Sequence, residues 1–427
     1  MKRRAIKTIS LLWLGSIIGA GCSFFTQIIL ARDLGPDDYG KLSSVLATVV
    51  LLVPLAGFGI SQYWLKVFGQ EGWVAMRWFI PSFRLLSVST GLVIFILILW
   101  ALFGPHDKEI ESLLYILCAY VFGQVALELV SSKLQLEERY FHLSLWQLLP
   151  HFTKLLLVIL LVIFFSESTS LHTVAYIYSG IALTIALLAS IELSHIQISG
   201  FHLKGHNKEL KCFASEEDAP TLIDVIEKSW PFGLASLFQL IYFQSDIILV
   251  KYITGAEAAG VYNVAFIIIA AVLMLPSVVY QKFLLPKIHR WANHDRDRFY
   301  QVYRQGNILM AILGILAMLI VWTLSSWALP ILFGDNYIGS VLLLNILAIC
   351  LPILFVASSV GATLVTQEYM RVKVKYMGVV AILNIALNII LIPMLGALGA
   401  AISTVLSNCV LLIVYYRLAQ NLVFSEV

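Results

Sequence analysis

Twelve runs of mainly apolar residues follow one another along this chain, each close to the length of about 20 residues that crosses a bilayer as a helix. They lie at 9–31, 42–65, 82–103, 111–131, 143–165, 172–194, 230–253, 260–281, 306–329, 338–361, 374–394 and 396–416, and are called spans 1 to 12 below. Hydrocarbon offers the backbone no hydrogen-bond partners, so such runs are helical. Of the 427 residues, 60% are hydrophobic and 12% charged, where a soluble domain carries about 25% charged residues. The expected class is an all-α polytopic membrane protein.

The net charge of +3 is small and does not suggest a nucleic-acid partner. Its distribution sets orientation, because basic residues favour the cytoplasmic side. With the N-terminus inside, cytoplasmic segments hold 23 of the 28 Lys and Arg residues. The outer side holds Arg32, Lys41, Lys108 and Lys251, and Lys154 falls inside span 5. Both termini are therefore expected in the cytoplasm. The opening "MKRRAIKTISLLWLGSIIGAGC" imitates a lipoprotein signal ending at Cys22, but the apolar run continues through "FFTQIILA" and reads as an uncleaved first span. The five cysteines are scattered, without metal-knuckle or CxxC spacing. No soluble-type hydrolase or nucleotide motif is present, and the chain does not read as an enzyme.

The longest polar stretch, 195–229, divides the chain midway. It implies a six-span bundle at 1–194, a cytoplasmic linker at 195–229 and a second six-span bundle at 230–427. His195, His202 and His206 lie in the linker without the acids or cysteines of a metal site, and a solvated loop is expected.

The halves repeat. Span 1 ends "QIILARDLGPDDYG" and span 7 ends "DIILVKYITGAEAAG". Gly35 and Gly40 match Gly255 and Gly260, Asp37 matches Glu257, and Arg32 matches Lys251; Pro54 and Pro276 sit at similar depth in spans 2 and 8. Six spans per half give both copies one orientation, a parallel repeat of two bundles about an axis along the membrane normal. Gly-Pro ends span 1, and the acids that follow suit the N-terminal dipole of span 2.

"LARDLGPDDYG", "DIILVKYITGAEAAGVYNVA" and "LNIALNIILIPMLGALGAAISTVLSN", at spans 1, 7–8 and 11–12, together resemble the polysaccharide-export branch of the MOP superfamily, the Wzx-type flippases of O-antigen and related repeat units. The resemblance covers nearly the whole chain. It implies two bundles around a central cavity that move an undecaprenyl-diphosphate-linked oligosaccharide outward across the bacterial inner membrane, in lipopolysaccharide or other polysaccharide biosynthesis. Membrane lipids, a polysaccharide polymerase and other assembly proteins are the implied partners. Lipid II flippases of the superfamily have fourteen helices and an arginine within the first. This chain has twelve spans and no charge between Lys7 and Arg32, so a peptidoglycan precursor is not the expected substrate.

Ionisable residues inside a membrane are costly and mark function by default. Lys154 lies about eleven residues into span 5, ~16 Å deep, where a crossing diphosphate needs a cation; a structural ion pair is the other reading. Arg84, at the inner end of span 3, either receives the diphosphate or snorkels. Gln124 with Glu128 and Asn384 with Asn388 each share a helix face, lining the cavity for sugar hydroxyls or bonding helices together. Gln239, Tyr242 and Asp246 form one polar stripe on span 7. Asp246, aligned with Gln27, suits coupling to H+ or Na+, with an ion pair to Lys251 as the alternative; no other cofactor and no metal is implied. Arg32 and Lys251 mark an outer gate or anchor their helix ends. Gly15 with Gly19, and Gly399 with Ser403 and Ser407, have the small-residue spacing of packing faces.

The leading expectation is a flippase working by alternating access. A MATE-like drug or cation antiporter would share the spans and repeat but carry stronger acidic sites. A membrane polymerase or ligase would need a large outer loop, whereas the outer loops here are short. An energy-independent scramblase fits the same residues.

Overall fold

In the computed structural model, residues 2–165, 170–199, 203, 220–277, 296–364 and 370–424 are described. Most of the expected linker, with His202, His206 and Cys212, lies outside them. The helices are α1 (Lys2–Gly57), α2 (Ile60–Glu71), α3 (Phe79–Phe103), α4 (Lys108–Leu136), α5 (Tyr140–Phe164), α6 (Leu171–Ser199) and α7 (Leu222–Thr254). They continue as α8 (Ala256–Ser277), α9 (Arg296–Phe333), α10 (Ser340–Ala348), α11 (Cys350–Thr363), α12 (Met370–Leu395) and α13 (Ala397–Leu418). Among the described residues nine helical stretches are long and apolar enough to cross a membrane, or ten with the bent pair Leu222–Tyr242 and Gln244–Thr254. One of the nine, Leu14–Phe103, is 90 residues long. That is several times the ~30 Å hydrocarbon thickness. It is interrupted at Gly35, which leaves helical geometry at φ 74°, ψ 173°, at Phe58 and Gly59, and by a 3-10 turn at Gly72–Trp78.

The helices turn their polarity inside out. On α3, Val88, Leu92, Phe95, Leu99 and Phe103 recur at helical spacing on the exposed face, while Ser82, Ser89 and Thr90 are buried. A soluble protein does not sustain such stripes, whereas lipid is as apolar as leucine. Association then relies on close packing and interhelical hydrogen bonds. Ser89 donates to Ala56 O at 2.6 Å, Ser132 to Ser61 O at 2.9 Å and Ser179 to Ile116 O at 2.6 Å. The four described cysteines, Cys22, Cys118, Cys350 and Cys409, are free.

The chain forms two compact units. The first comprises Met1–Gln27 and Val45–Leu240; the second comprises Ile28–Ser44 and Ile241–Val427. In the first, Lys133 and Glu137 are buried at the α4–α5 turn. Lys133 pairs with Glu192 at 2.6 Å and Glu137 at 4.0 Å, while Arg139 bridges the same two acids at 3.2 and 3.4 Å. These four charges tie the turn to α6. At the other end of α2, Gly59 lies against the backbone of Phe232 and Gly233 on α7. That contact accounts for residues up to Leu240 grouping with the first unit.

The second unit holds both copies of the repeated turn. Gly35 and Gly255 have φ of 74° and 108°, a conformation that glycine adopts at little cost. The copies then touch. A Cβ on Gly40 would meet Ala256 O at 1.8 Å, and one on Gly260 would meet Pro36 O at 2.1 Å. Asn263 donates to Ser43 Oγ at 2.8 Å and to the Tyr39 hydroxyl at 3.1 Å. Tyr337 donates to Ala31 O at 2.8 Å. These contacts draw Ile28–Ser44 into a unit otherwise built from the C-terminal half. The acids of the turn have a nearer partner than a helix dipole, since Lys41 pairs with Asp37 at 2.8 Å and Asp38 at 3.0 Å.

Candidate functional site

The expected site residues divide between the units. In the first, Lys154 projects from α5 with its ammonium 4.0 Å from the centre of the Tyr178 ring and 5.5 Å from that of Tyr120. Cation–π contacts at this range contribute about 0.5–2 kcal/mol. Tyr120 and Gln124 of α4 and His151 of α5 are the other polar residues lining the pocket around Lys154, and apolar residues of α4, α5 and α6 complete its wall. Among the described residues no carboxylate lies within ion-pair distance of Lys154. Glu128, one turn beyond Gln124, faces α2 instead and accepts the Ser61 hydroxyl at 3.3 Å. Arg84 on α3 and Gln239 on α7 are exposed.

In the second unit Asp246 is 1% exposed. Four helices converge on it. Tyr262 of α8 donates its hydroxyl to Oδ2 at 2.7 Å, and Thr404 of α13 donates to the same oxygen. Asn388 of α12 donates to Oδ1 at 2.6 Å and to Asn384 Oδ1 at 3.2 Å. Ser245, beside Asp246 on α7, also donates to Asn384 Oδ1, at 3.1 Å. An isolated buried carboxylate is expensive, and three donors lower that cost. The cluster still has capacity, because Asn388 Oδ1 is buried without a hydrogen-bond partner among the described residues.

The two asparagines thus bond helices together around Asp246. Of the α7 stripe, Tyr242 donates to Met377 O on α12, while Gln239 stands apart. Arg32 is exposed and donates to Ile331 O at 3.4 Å. Lys251 is largely buried, its ammonium 3.7 Å from the centre of the Tyr252 ring. Among the described residues no three His, Cys, Asp or Glu side chains group as a metal site.

A family model described as polysaccharide biosynthesis protein matches residues 5–292, which include the Lys154 pocket and Asp246. The chain belongs to the polysaccharide biosynthesis protein family. A relative in Haloferax volcanii, the probable flippase AglR, is 26% identical over 418 residues, covering 91% of this chain and 70% of that one. Two solved structures have the same fold. One is a multidrug resistance MATE family transporter of the MOP superfamily in an inward-facing conformation, with TM-score 0.70, 14% identity and coverage of 99% and 98% of the two chains. The other is the lipid II flippase MurJ, inward closed, with TM-score 0.70, 12% identity and coverage of 96% and 87%.

Two partners of Asp246 in this polysaccharide biosynthesis protein were not singled out by sequence reasoning, namely Tyr262 and Thr404. They stand 16 and 158 residues from it, and no periodicity links such positions. The available signal was a polar group in the apolar runs of spans 8 and 12. Tyr178, under Lys154, was masked in the same way by its helix.

Proposed function

We propose that the chain is a flippase of polysaccharide biosynthesis. It carries an undecaprenyl-diphosphate-linked oligosaccharide, an O-antigen or related repeat unit, from the cytoplasmic to the periplasmic leaflet of the bacterial inner membrane. Twelve spans, with both termini cytoplasmic, form two halves at 1–194 and 230–427 joined by 195–229, and alternating access of these halves moves the substrate. The observation that carries the reading is the family match together with a half-buried cation on α5 that has no carboxylate partner among the described residues. An uncompensated charge at membrane depth is retained where a ligand or water meets it. Lys154, with Gln124, faces the anionic and hydroxyl groups of the substrate, and Arg84 meets its diphosphate at the cytoplasmic side. Asp246 couples a proton or a sodium ion to the cycle, since a buried carboxylate has a different energy in states that differ in access to water.

The test is transport of a fluorescent lipid-linked oligosaccharide in proteoliposomes. Wild-type protein moves the label between leaflets, and Lys154→Ala reduces the rate at least about ten-fold, the loss of one charge-assisted contact. Liposomes that keep the label in place but exchange cationic drugs for ions establish the antiporter reading instead, which the likeness to the MATE transporter keeps in view.

A further inference from the structure

The pocket around Lys154 contains unused hydrogen-bonding capacity as well as a charge with no carboxylate partner among the described residues. The Tyr178 hydroxyl and His151 Nδ1 are buried and lack a partner among the described residues, and Tyr178 is only 2% exposed. Both belong to side chains around the Lys154 ammonium, Tyr178 by direct contact and His151 one turn before it on α5. The Gln124 amide faces the same space. Buried polar groups are ordinarily satisfied, so a cation and two unfilled groups around one pocket point to an absent polar ligand.

Charge and shape narrow that ligand. Among the described residues Lys154 is the one fixed cation lining the pocket. One ammonium balances one negative charge, whereas the diphosphate that joins lipid to sugar carries about two at neutral pH, each phosphate group being a strong acid. The Tyr120 ring lines the pocket and the Tyr178 ring packs against the Lys154 ammonium beside it; flat apolar surfaces with a polar tip suit a sugar ring better than a compact inorganic anion. Resting on the flippase reading, we propose that this pocket is a subsite for one carboxylate-bearing sugar of the transported saccharide, a uronic acid in chemical class. The Lys154 ammonium pairs with the carboxylate, the Tyr178 hydroxyl donates to it, the Gln124 amide bonds to the neighbouring ring hydroxyls, and the diphosphate is held elsewhere.

The experiment uses the full chain in lipid nanodiscs and three soluble probes: methyl glucuronide, methyl glucoside and inorganic pyrophosphate. Wild-type protein binds the glucuronide about ten-fold or more tightly than the glucoside, the range of a charge-assisted hydrogen bond. Lys154→Met, which keeps length and apolar bulk, abolishes that preference. Gln124→Leu weakens both sugars while leaving the preference intact. Equal binding of the two sugars by wild-type protein, or tighter binding of pyrophosphate than of glucuronide, overturns the proposal, and this comparison requires no variant. Proteoliposome transport of lipid-linked saccharide without any glucuronide preference sinks the subsite and leaves the flippase reading standing. Failure to move any lipid-linked saccharide, acidic or neutral, removes the flippase reading on which the subsite rests.

Discussion

Asn388 donates an amide hydrogen bond to Asp246 at 2.6 Å while its own buried carbonyl oxygen accepts none among the described residues. Asn388→Leu, close in volume, therefore deprives Asp246 Oδ1 of its donor. The expected destabilisation is about 1–3 kcal/mol, the cost of leaving a buried acceptor unsatisfied. Unfolding of the purified variant in detergent measures it, and a melting temperature equal to wild type would show that Asp246 does not depend on Asn388.

The same carboxylate carries the coupling prediction. Asp246→Asn keeps the shape and removes the charge. Export is expected to slow and to lose its response to an imposed proton or sodium gradient. Flipping in proteoliposomes with and without the gradient is the measurement. An undiminished gradient response in the variant would make Asp246 a packing residue.

Gly40 and Gly21 give a paired test of the close backbone approach. A methyl group on Gly40 would collide with Ala256 O, whereas one on Gly21 meets nothing within 4 Å. Gly40→Ala is expected to cost about 1–3 kcal/mol, as overpacking does. Gly21→Ala should be neutral or slightly stabilising, since alanine is the better helix former. Equal melting temperatures for the two variants would remove the contact between the turns.

Lys133 is 4% exposed between two acids. Lys133→Ala takes one cation away from buried Glu137, which keeps Arg139 at 3.4 Å. Breaking a buried pair by removing one partner costs about 3–5 kcal/mol. Glu192→Gln in the same background should add less than it does alone, because the two share one network. Additive losses in denaturation would show the charges to be independent.

Membrane orientation follows from the basic residues. Reporter fusions after residues 36, 168 and 334 are expected to read as extracytoplasmic. A cytoplasmic signal at any of them breaks the topology at that point.

How much of this was legible in the sequence depends on the range of the interaction. The apolar runs and the repeated turn are local patterns, and the structure has helices over the runs and positive φ at Gly35 and Gly255. Lys154 and Asp246 stand out because hydrocarbon makes every charge conspicuous. Their surroundings were not legible. Asn388 reaches Asp246 from 142 residues away, and a pair of asparagines on one helix face reads the same whether it meets sugar or a neighbouring helix. Gln124 and Glu128 share a face by spacing, yet one lines the Lys154 pocket and the other accepts Ser61. Helical periodicity assigns a face, and only packing decides which neighbour fills it.

The contact between the repeated turns joins equivalent positions. Gly40 and Gly260 approach each other, Gly40 faces Ala256 as Gly260 faces Pro36, and Ser43 bonds to its counterpart Asn263. Such reciprocity is the signature of a two-fold interface between identical subunits. The turn thus carries, inside one polypeptide, the geometry of an isologous seam. The serine on one side and the asparagine on the other mark where that seam departs from symmetry.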